Sequence, residues 1–143
     1  MMATTLILDT SVLIAGLRSS LGASHALLGL VGTGRFSVGL TAGLVLEYEA
    51  VCMRSLDVLG LTADDVKELL DYFCHVGKLA AVRFRVRPSV ADPDDELVLE
   101  AAIATESEWI VTHNIRDMAA GAARYGIEVI KPGEALRRLG VQT

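Results

Sequence analysis

The sequence predicts an α/β fold in which helices cover both faces of a central parallel sheet of about four or five strands. Three observations predict it. Short apolar stretches typical of buried strands alternate along the chain with longer stretches typical of amphipathic helices. Parallel strands need long crossover connections, and these helices supply them. The 143 residues, 52% of them apolar, suit one domain with its own core, so residues 1–143 are treated as a single domain.

The first half of the chain contains two predicted strands, each a short aliphatic or β-branched run, and four predicted helices, each beginning at a capping Ser or Thr. The strands are Thr4–Leu8 and Phe36–Gly39. The helices run from Thr10 or Ser11 toward Leu17, from Ser24 through Val31, from Thr41 with apolar residues at helical spacing, and from Thr62 with Asp65 completing the cap.

The second half continues the alternation. Lys78 to Val86 predicts one or two short strands, which Arg87-Pro88 ends. An acidic loop, Asp92 to Glu96, then opens a helix. The remaining predicted elements are a helix at Leu97–Thr105, a strand at Trp109–Thr112, a helix at Arg116–Arg124, a strand at Ile127–Ile130 and a helix at Gly133–Leu139.

Composition narrows the class of protein. No apolar run reaches the roughly 18 residues of a membrane span, and Met1–Leu8 has no basic leader, so we expect a soluble cytoplasmic protein with no membrane partner. The net charge of −5 argues against a broad electrostatic grip on a phosphate backbone. Cys52 and Cys74 are expected to be buried free thiols.

One basic cluster could serve as a local nucleic-acid patch or, equally well, as a charged strand edge that resists aggregation. It consists of Lys78, Arg83, Arg85 and Arg87.

Acidic residues follow the predicted strands and begin the predicted helices. In an open parallel sheet the functional crevice lies beyond the carboxyl ends of the strands, where the winding reverses. Asp9 ends the first strand, Asp117 follows a later strand by a short loop, and Asp95 and Glu96 begin a helix. Glu47 lies within the helix that follows Thr41. Each acid alone has an ordinary explanation as a cap, a dipole partner or a surface ion pair, but together they predict a site.

Carboxylates at close range repel, by about 4 kcal/mol for two unit charges about 4 Å apart at an effective dielectric constant of about 20. Either some of them keep their protons, with raised pKa values, or a divalent cation lies between them. Oxygen ligands alone suit Mg²⁺, or Mn²⁺, better than zinc. No histidine accompanies the acids at ligand spacing. His113 is interpreted as a surface or loop residue rather than a base or ligand, and His25 and His75 as structural.

Three motifs resemble those of the PIN-domain family, over about Thr4 to Leu139. The opening strand followed by Asp9-Thr10-Ser11 resembles the family's first metal-binding motif. Leu44 to Tyr48 resembles the helix that carries the family's glutamate. The most specific is Asp92-Pro93-Asp94-Asp95-Glu96, a helix, and then Ile110 to Met118, which resembles a PIN subgroup of toxins from toxin–antitoxin pairs, VapC-like proteins, with Met118 in place of the usual Phe.

The resemblance implies a three-layer α/β/α PIN-like fold and a role for each acid. Asp9, Asp117 and either Asp95 or Glu96 would bind metal, and Glu47 would orient a water or bind a second metal. Polar neighbours would hold the acids by hydrogen bonds. These neighbours are Thr10, Ser11, Thr112 and Asn114.

The resemblance also implies an activity and partners. One or two Mg²⁺ ions would support hydrolysis of phosphodiester bonds, with RNA as the substrate. The chain would form a homodimer, and a cognate antitoxin would insert an Arg or Lys into the acidic groove.

Three other functions compete with that of a ribonuclease. A haloacid-dehalogenase-like phosphatase needs a second Asp two residues after the first, where this chain has Ser11. A nucleotide-binding domain would need a GxGxxG or GK[ST] loop, which is absent from the sequence. A non-catalytic PIN-fold module that binds nucleic acid or protein stays open as the alternative.

Overall fold

The computed structural model describes residues 4–83 and 93–141, the side chains of 93 and 94 excepted. Its strands are β1 Thr4–Leu8, β2 Phe36–Leu40, β3 Lys78–Leu79, β4 Trp109–Val111 and β5 Glu128–Ile130. Its helices are α1 Thr10–Arg18, α2 Ala23–Gly29, α3 Ala42–Arg54, α4 Leu56–Leu59, α5 Ala63–Val76, α6 Pro93–Ala104, α7 Ile115–Ala123 and α8 Pro132–Arg138. The predicted α/β class is confirmed.

The five strands form one parallel sheet in the order β3-β2-β1-β4-β5. The chain moves outward from β1 through β2 to β3, then crosses back to place β4 on the other side of β1. The winding therefore reverses between β1 and β4. Leu8 at the end of β1 lies beside Val111 at the end of β4, so the residues that follow these two strands emerge together.

Helices cover both faces of this sheet. Leu6, Ile7 and Leu8 are consecutive in β1 and all fully buried, although successive strand side chains point to opposite faces. Right-handed crossovers place the helices between β1 and β3 on one face and α6 and α7 on the other. Contacts of α6 with α7, and of α2 with α8, agree with this arrangement. The predicted three layers are confirmed.

The middle of the sheet lies very close to the end of α6. A Cβ atom on Gly39 in β2 would come within 2.6 Å of Thr105 Oγ1, 2.7 Å of Ile7 Cδ1 and 2.9 Å of Ser107 Oγ. The two hydroxyls are themselves buried and lie 2.6 Å apart. Position 39 therefore requires glycine, because a larger residue would prevent the end of α6 from packing against β2.

Several predicted boundaries were wrong. The helix pattern expected from Leu97 belongs to a helix that begins four residues earlier, at Pro93. The prediction that Asp95 and Glu96 begin a helix is confirmed, because both lie in its first turn. The short helix α4 was not predicted. The caps at Thr41 and Thr62 are confirmed by hydrogen bonds.

The other two predicted caps were also wrong. Thr10 and Ser11 lie inside α1, whose N-cap is Asp9, and Ser24 lies inside α2, whose N-cap is Gly22. In each helix the N-cap makes no side-chain capping hydrogen bond, and the Ser11 and Ser24 hydroxyls bind elsewhere.

Of the strand segment predicted after α5, the described residues 78–83 contain a strand at Lys78–Leu79, and its remaining residues, 84–86, lie outside the described residues. In the basic cluster, Lys78 and Arg83 are exposed, and Lys78 Nζ donates to the Thr105 carbonyl at 2.7 Å. Arg85 and Arg87 lie outside the described residues.

Both cysteines are free thiols, as predicted, but only Cys52 is fully buried, whereas Cys74 is half-buried.

Over the residues described, no single helix is long and apolar enough to cross a bilayer. The pair α1 and α2 passes that test jointly on length and composition, with a 95° bend between them. Buried residues of both, such as Leu13 and Leu27, belong to the core.

Candidate active site at the end of β1

Asp9 lies at the point where the winding of the sheet reverses. It follows β1 directly, and its backbone N–H donates to the Val111 carbonyl at the end of β4 at 2.9 Å. Only 6% of the residue is exposed. A carboxylate this deeply buried is costly unless polar or charged groups compensate it.

Two neutral hydroxyls compensate it in part. Ser11 Oγ and Thr112 Oγ1 each donate to Asp9 Oδ2 at 2.7 Å. Thr112 is fully buried, and its Oγ1 also accepts the Asn114 backbone N–H at 3.0 Å. Hydrogen bonds to a charged acceptor are stronger than neutral ones, so these two hydroxyls fix the orientation of the carboxylate.

The charge of Asp9 has no basic counterpart among residues 4–83 and 95–141, where no ion pair involves it. Within the same residues, every side-chain hydrogen bond to the Asp9 carboxylate ends on Oδ2. The other carboxylate oxygen, Oδ1, accepts neither of these hydrogen bonds and can bind a further ligand.

Tyr48 of α3 reaches the end of β1, next to Asp9. Its phenol is fully buried and donates to the Leu8 carbonyl, the last carbonyl of β1. Burial, and then the negative charge of Asp9, raise the pKa of Tyr48 far above its usual value. The phenol therefore stays neutral and ties α3 to the strand that carries Asp9.

The other predicted acids lie on three helices near this edge. Glu47 precedes Tyr48 on α3 and is half-buried. Asp95 and Glu96 in the first turn of α6 are half-buried as well, and Asp117 in the first turn of α7 is exposed. Because α6 packs against both α3 and α7, the three helices form one neighbourhood.

The structure brings together only part of the predicted site. Asp9, Ser11, Thr112 and the Asn114 backbone form one hydrogen-bonded group, whereas Thr10 is simply the first residue of α1. Among the described residues, no three His, Cys, Asp or Glu side chains lie close enough to hold a metal ion. Asp92 and the side chain of Asp94, both in the acidic motif, fall outside that description.

Two residues of this neighbourhood were missed. Tyr48 is one of the apolar residues at helical spacing in the helix that follows Thr41. Nothing in that spacing indicates that its hydroxyl reaches β1. Glu100 on α6 is 8% exposed and follows Glu96 by one turn. The spacing of four residues places these two acids on the same face of the helix, and that signal was available in the sequence.

His25 and His113 both make hydrogen bonds. His25 Nδ1 lies 3.0 Å from the Gly16 carbonyl, as suits a structural residue. His113 is exposed, as expected for a loop, but its Nε2 lies 2.9 Å from the hydroxyl of buried Ser24.

The family follows from a comparison with family models. The model described as PIN domain matches residues 5–116, which include the whole group around Asp9 as well as Glu47 and the start of α6. The chain belongs to the PIN-domain family. PIN domains are generally nucleases that use a divalent metal ion. The resemblance predicted from the three sequence motifs is confirmed.

A solved structure shows the same PIN fold. A chain in the crystal structure of VapBC2 from Rickettsia felis, bound to a DNA fragment from their promoter, superposes with a TM-score of 0.58. The match covers 88% of this PIN domain chain and 97% of that chain, at 14% sequence identity. No curated protein matches the sequence.

Proposed function

We propose that this chain is a Mg²⁺-dependent endoribonuclease, the toxin of a type II toxin–antitoxin pair, that hydrolyses RNA phosphodiester bonds. The observation that carries the proposal is Asp9, a buried carboxylate at the reversal point of the sheet, oriented by Ser11 and Thr112. In a family of nucleases, an acid fixed in this way is suited to bind a metal ion rather than to support the fold.

The donor set suits a hard divalent cation. Asp9 offers carboxylate oxygen, and the two groups that contact it are neutral donors, which leave its charge uncompensated by the described residues. Mg²⁺ binds through one or two carboxylates and keeps several waters, so it does not need a dense protein cage. Mn²⁺ has the same ligand preference.

We assign Asp9 and Asp117, with Glu47 and either Asp95 or Glu96, to metal binding. A bound ion would activate a water for in-line attack on phosphorus and offset the charge that develops on the phosphate oxygens. Ser11 and Thr112 hold the Asp9 carboxylate in one orientation, and Asn114 holds Thr112 through its backbone N–H. Tyr48 holds the end of β1 by donating to the Leu8 carbonyl.

The partners follow from the toxin proposal. The similar solved structure is a VapBC2 complex, which supports a cognate antitoxin for this chain as well. We propose that a basic side chain of the antitoxin pairs with the acids and excludes substrate. A homodimer and a cytoplasmic location complete the proposal.

The test is cleavage of a mixed RNA pool by the purified protein in Mg²⁺, in Mn²⁺ and in EDTA, compared with Asp9→Asn. Asparagine has nearly the same shape and can still accept from Ser11 and Thr112, but it removes the charge. We expect cleavage in both metals, none in EDTA, and a loss of at least about 100-fold in the variant. Asp57→Asn, an exposed acid on α4, is the matched control and should cleave normally.

Magnesium binding measured by calorimetry separates the two surviving hypotheses. Binding that Asp9→Asn abolishes, together with metal-dependent cleavage, supports the nuclease. If the folded wild-type protein neither binds Mg²⁺ nor cleaves RNA, the nuclease proposal fails and the non-catalytic binding module takes its place.

A further inference from the structure

A cavity of about 340 Å³ opens past the ends of β4 and β5. It lies between the end of α1, the start of α2 and the loops that follow β4 and β5. Its lining includes Ser19, Ser24, His113, Lys131 and Pro132. Since parallel strands end at the same edge of a sheet, the cavity and Asp9 open toward the same side of the molecule.

The charge of this cavity differs from that of the whole molecule. The chain has a net charge of −5, yet among the described residues no Asp or Glu lines the cavity, and the two ionisable residues of that described lining, His113 and Lys131, are basic types. The Lys131 side chain is exposed. The lining therefore suits an anion next to a site that is otherwise rich in carboxylates.

His113 is held in this cavity by a buried group. Its Nε2 lies 2.9 Å from Ser24 Oγ, and Ser24 is only 6% exposed. The other ring nitrogen, Nδ1, has no hydrogen bond within the described part of the chain and stays available to a ligand. The backbone N–H of His113 points to Ser11 Oγ at 3.4 Å, and Ser11 in turn donates to Asp9, so the cavity and the acid share one polar network.

We propose that this cavity binds an RNA phosphate that flanks the cleaved one, with Lys131 and His113 as its positioning residues. The proposal rests on the ribonuclease function proposed above. A cavity of this volume is at the small end of the range for ligand pockets, enough for one phosphate with part of its nucleotide. The apolar lining, which includes Leu21 and Pro132, gives the sugar and base a surface to contact. The contacts are to backbone phosphate, so they would strengthen binding of the RNA strand without selecting its sequence.

The first test measures binding without cleavage. Kd for a short single-stranded RNA is measured against salt concentration for Asp9→Asn, and for Asp9→Asn combined with Lys131→Met, which keeps the aliphatic stem. Lys67→Met in the same Asp9→Asn background is the matched control, because Lys67 is an exposed residue of α5. We expect Lys131→Met to weaken binding several-fold and to reduce the slope of log K against log salt by about 0.7, the value for one lost phosphate contact. The Lys67 variant should keep the full slope.

The second test uses the cleaving protein with two substrates. Lys131→Met should lower kcat/KM on a long RNA but leave the rate on a dinucleotide unchanged, because the dinucleotide has no flanking phosphate.

An unchanged salt slope and unchanged kcat/KM in Lys131→Met, with wild-type cleavage intact, overturn the phosphate site and leave the nuclease standing. RNA binding that fails in the wild type as well overturns the ribonuclease proposal and this inference with it. Poly-glutamate that binds at Lys131 when RNA does not would assign the cavity to an acidic protein segment and overturn the RNA assignment.

Discussion

Replacing Thr112 by Val should disable the proposed active site while leaving the fold intact. Valine has nearly the shape of threonine, but it lacks the hydroxyl that donates to Asp9 Oδ2 at 2.7 Å and accepts from the Asn114 N–H at 3.0 Å. Thr112 is fully buried, so water cannot replace the lost donor. The Asp9 carboxylate would keep Ser11 as its hydroxyl partner.

The expected cost has two parts. A buried hydrogen bond to a charged group contributes about 1.5 to 3 kcal/mol, so the free energy of unfolding should fall by about 2 kcal/mol. Groups that orient a metal ligand typically change metal affinity or activity by roughly 10- to 100-fold when they are removed. We therefore expect RNA cleavage, measured as kcat/KM per folded molecule, to fall by about that factor.

Thr105→Val is the matched control. Thr105 is also fully buried, and its hydroxyl makes two hydrogen bonds, to the Ala101 carbonyl and to Ser107, at the opposite end of α6 from the acidic motif. Urea denaturation should show a loss of about 1 to 2 kcal/mol, with normal cleavage by the folded protein. If both variants cleave RNA equally well, the hydroxyl of Thr112 does not position Asp9 for catalysis and the reasoning is wrong.

Two further predictions concern stability. Because burial raises the pKa of Tyr48 above its unfolded value of about 10, the folded state keeps a proton that the unfolded state loses, and wild-type stability should fall above about pH 10 by up to roughly 1.4 kcal/mol per pH unit relative to Tyr48→Phe. Parallel urea titrations of the two proteins at pH 8 to 11 measure this, and a constant difference across the range would contradict it. Gly39→Ala should cost about 1 to 3 kcal/mol, since its Cβ would overlap the Thr105 and Ser107 hydroxyls. Gly29→Ala, whose Cβ would meet nothing within 4 Å, should be neutral or slightly stabilising in the same denaturation assay, and an equal loss in both would refute the packing argument.

Most of the fold was predictable because strands buried on both faces leave a strong signal. Thr4–Leu8 was placed correctly from its aliphatic run alone, and the alternation with helices predicted the parallel sheet. The errors occurred where a residue suits one local structure by its type but has a different role in the folded protein. Ser11 has the chemistry of a helix cap, but its hydroxyl is already bound to Asp9, so the cap rule placed the start of α1 too late. The acidic segment was expected to be a loop that opens a helix near Asp95, whereas the helix already begins at Pro93, a residue that suits the first turn.

Part of the candidate site was predictable from the sequence. Asp9 was identified from its position at the end of an apolar strand and Thr112 from the resemblance to the PIN-domain family, and the structure joins the two directly. Tyr48 could not be identified, because its part depends on the distance between α3 and the last carbonyl of β1, and helical periodicity has no information about that distance. The geometry of Glu47, Asp95 and Asp117 around a metal stays a prediction.

The hydrogen bond between Thr112 and Asp9 joins residues that lie 103 positions apart in the chain. During synthesis, β1 and β2 are made well before β4, so Asp9 is translated long before Thr112. The Val111 carbonyl that accepts the Asp9 backbone N–H arrives equally late. A nascent chain that stops before β4 has Asp9 and Ser11 but lacks the Val111 and Thr112 groups that complete the position of the acid. Biogenesis thus delays the assembly of the proposed active site until β4 and Thr112 have been made.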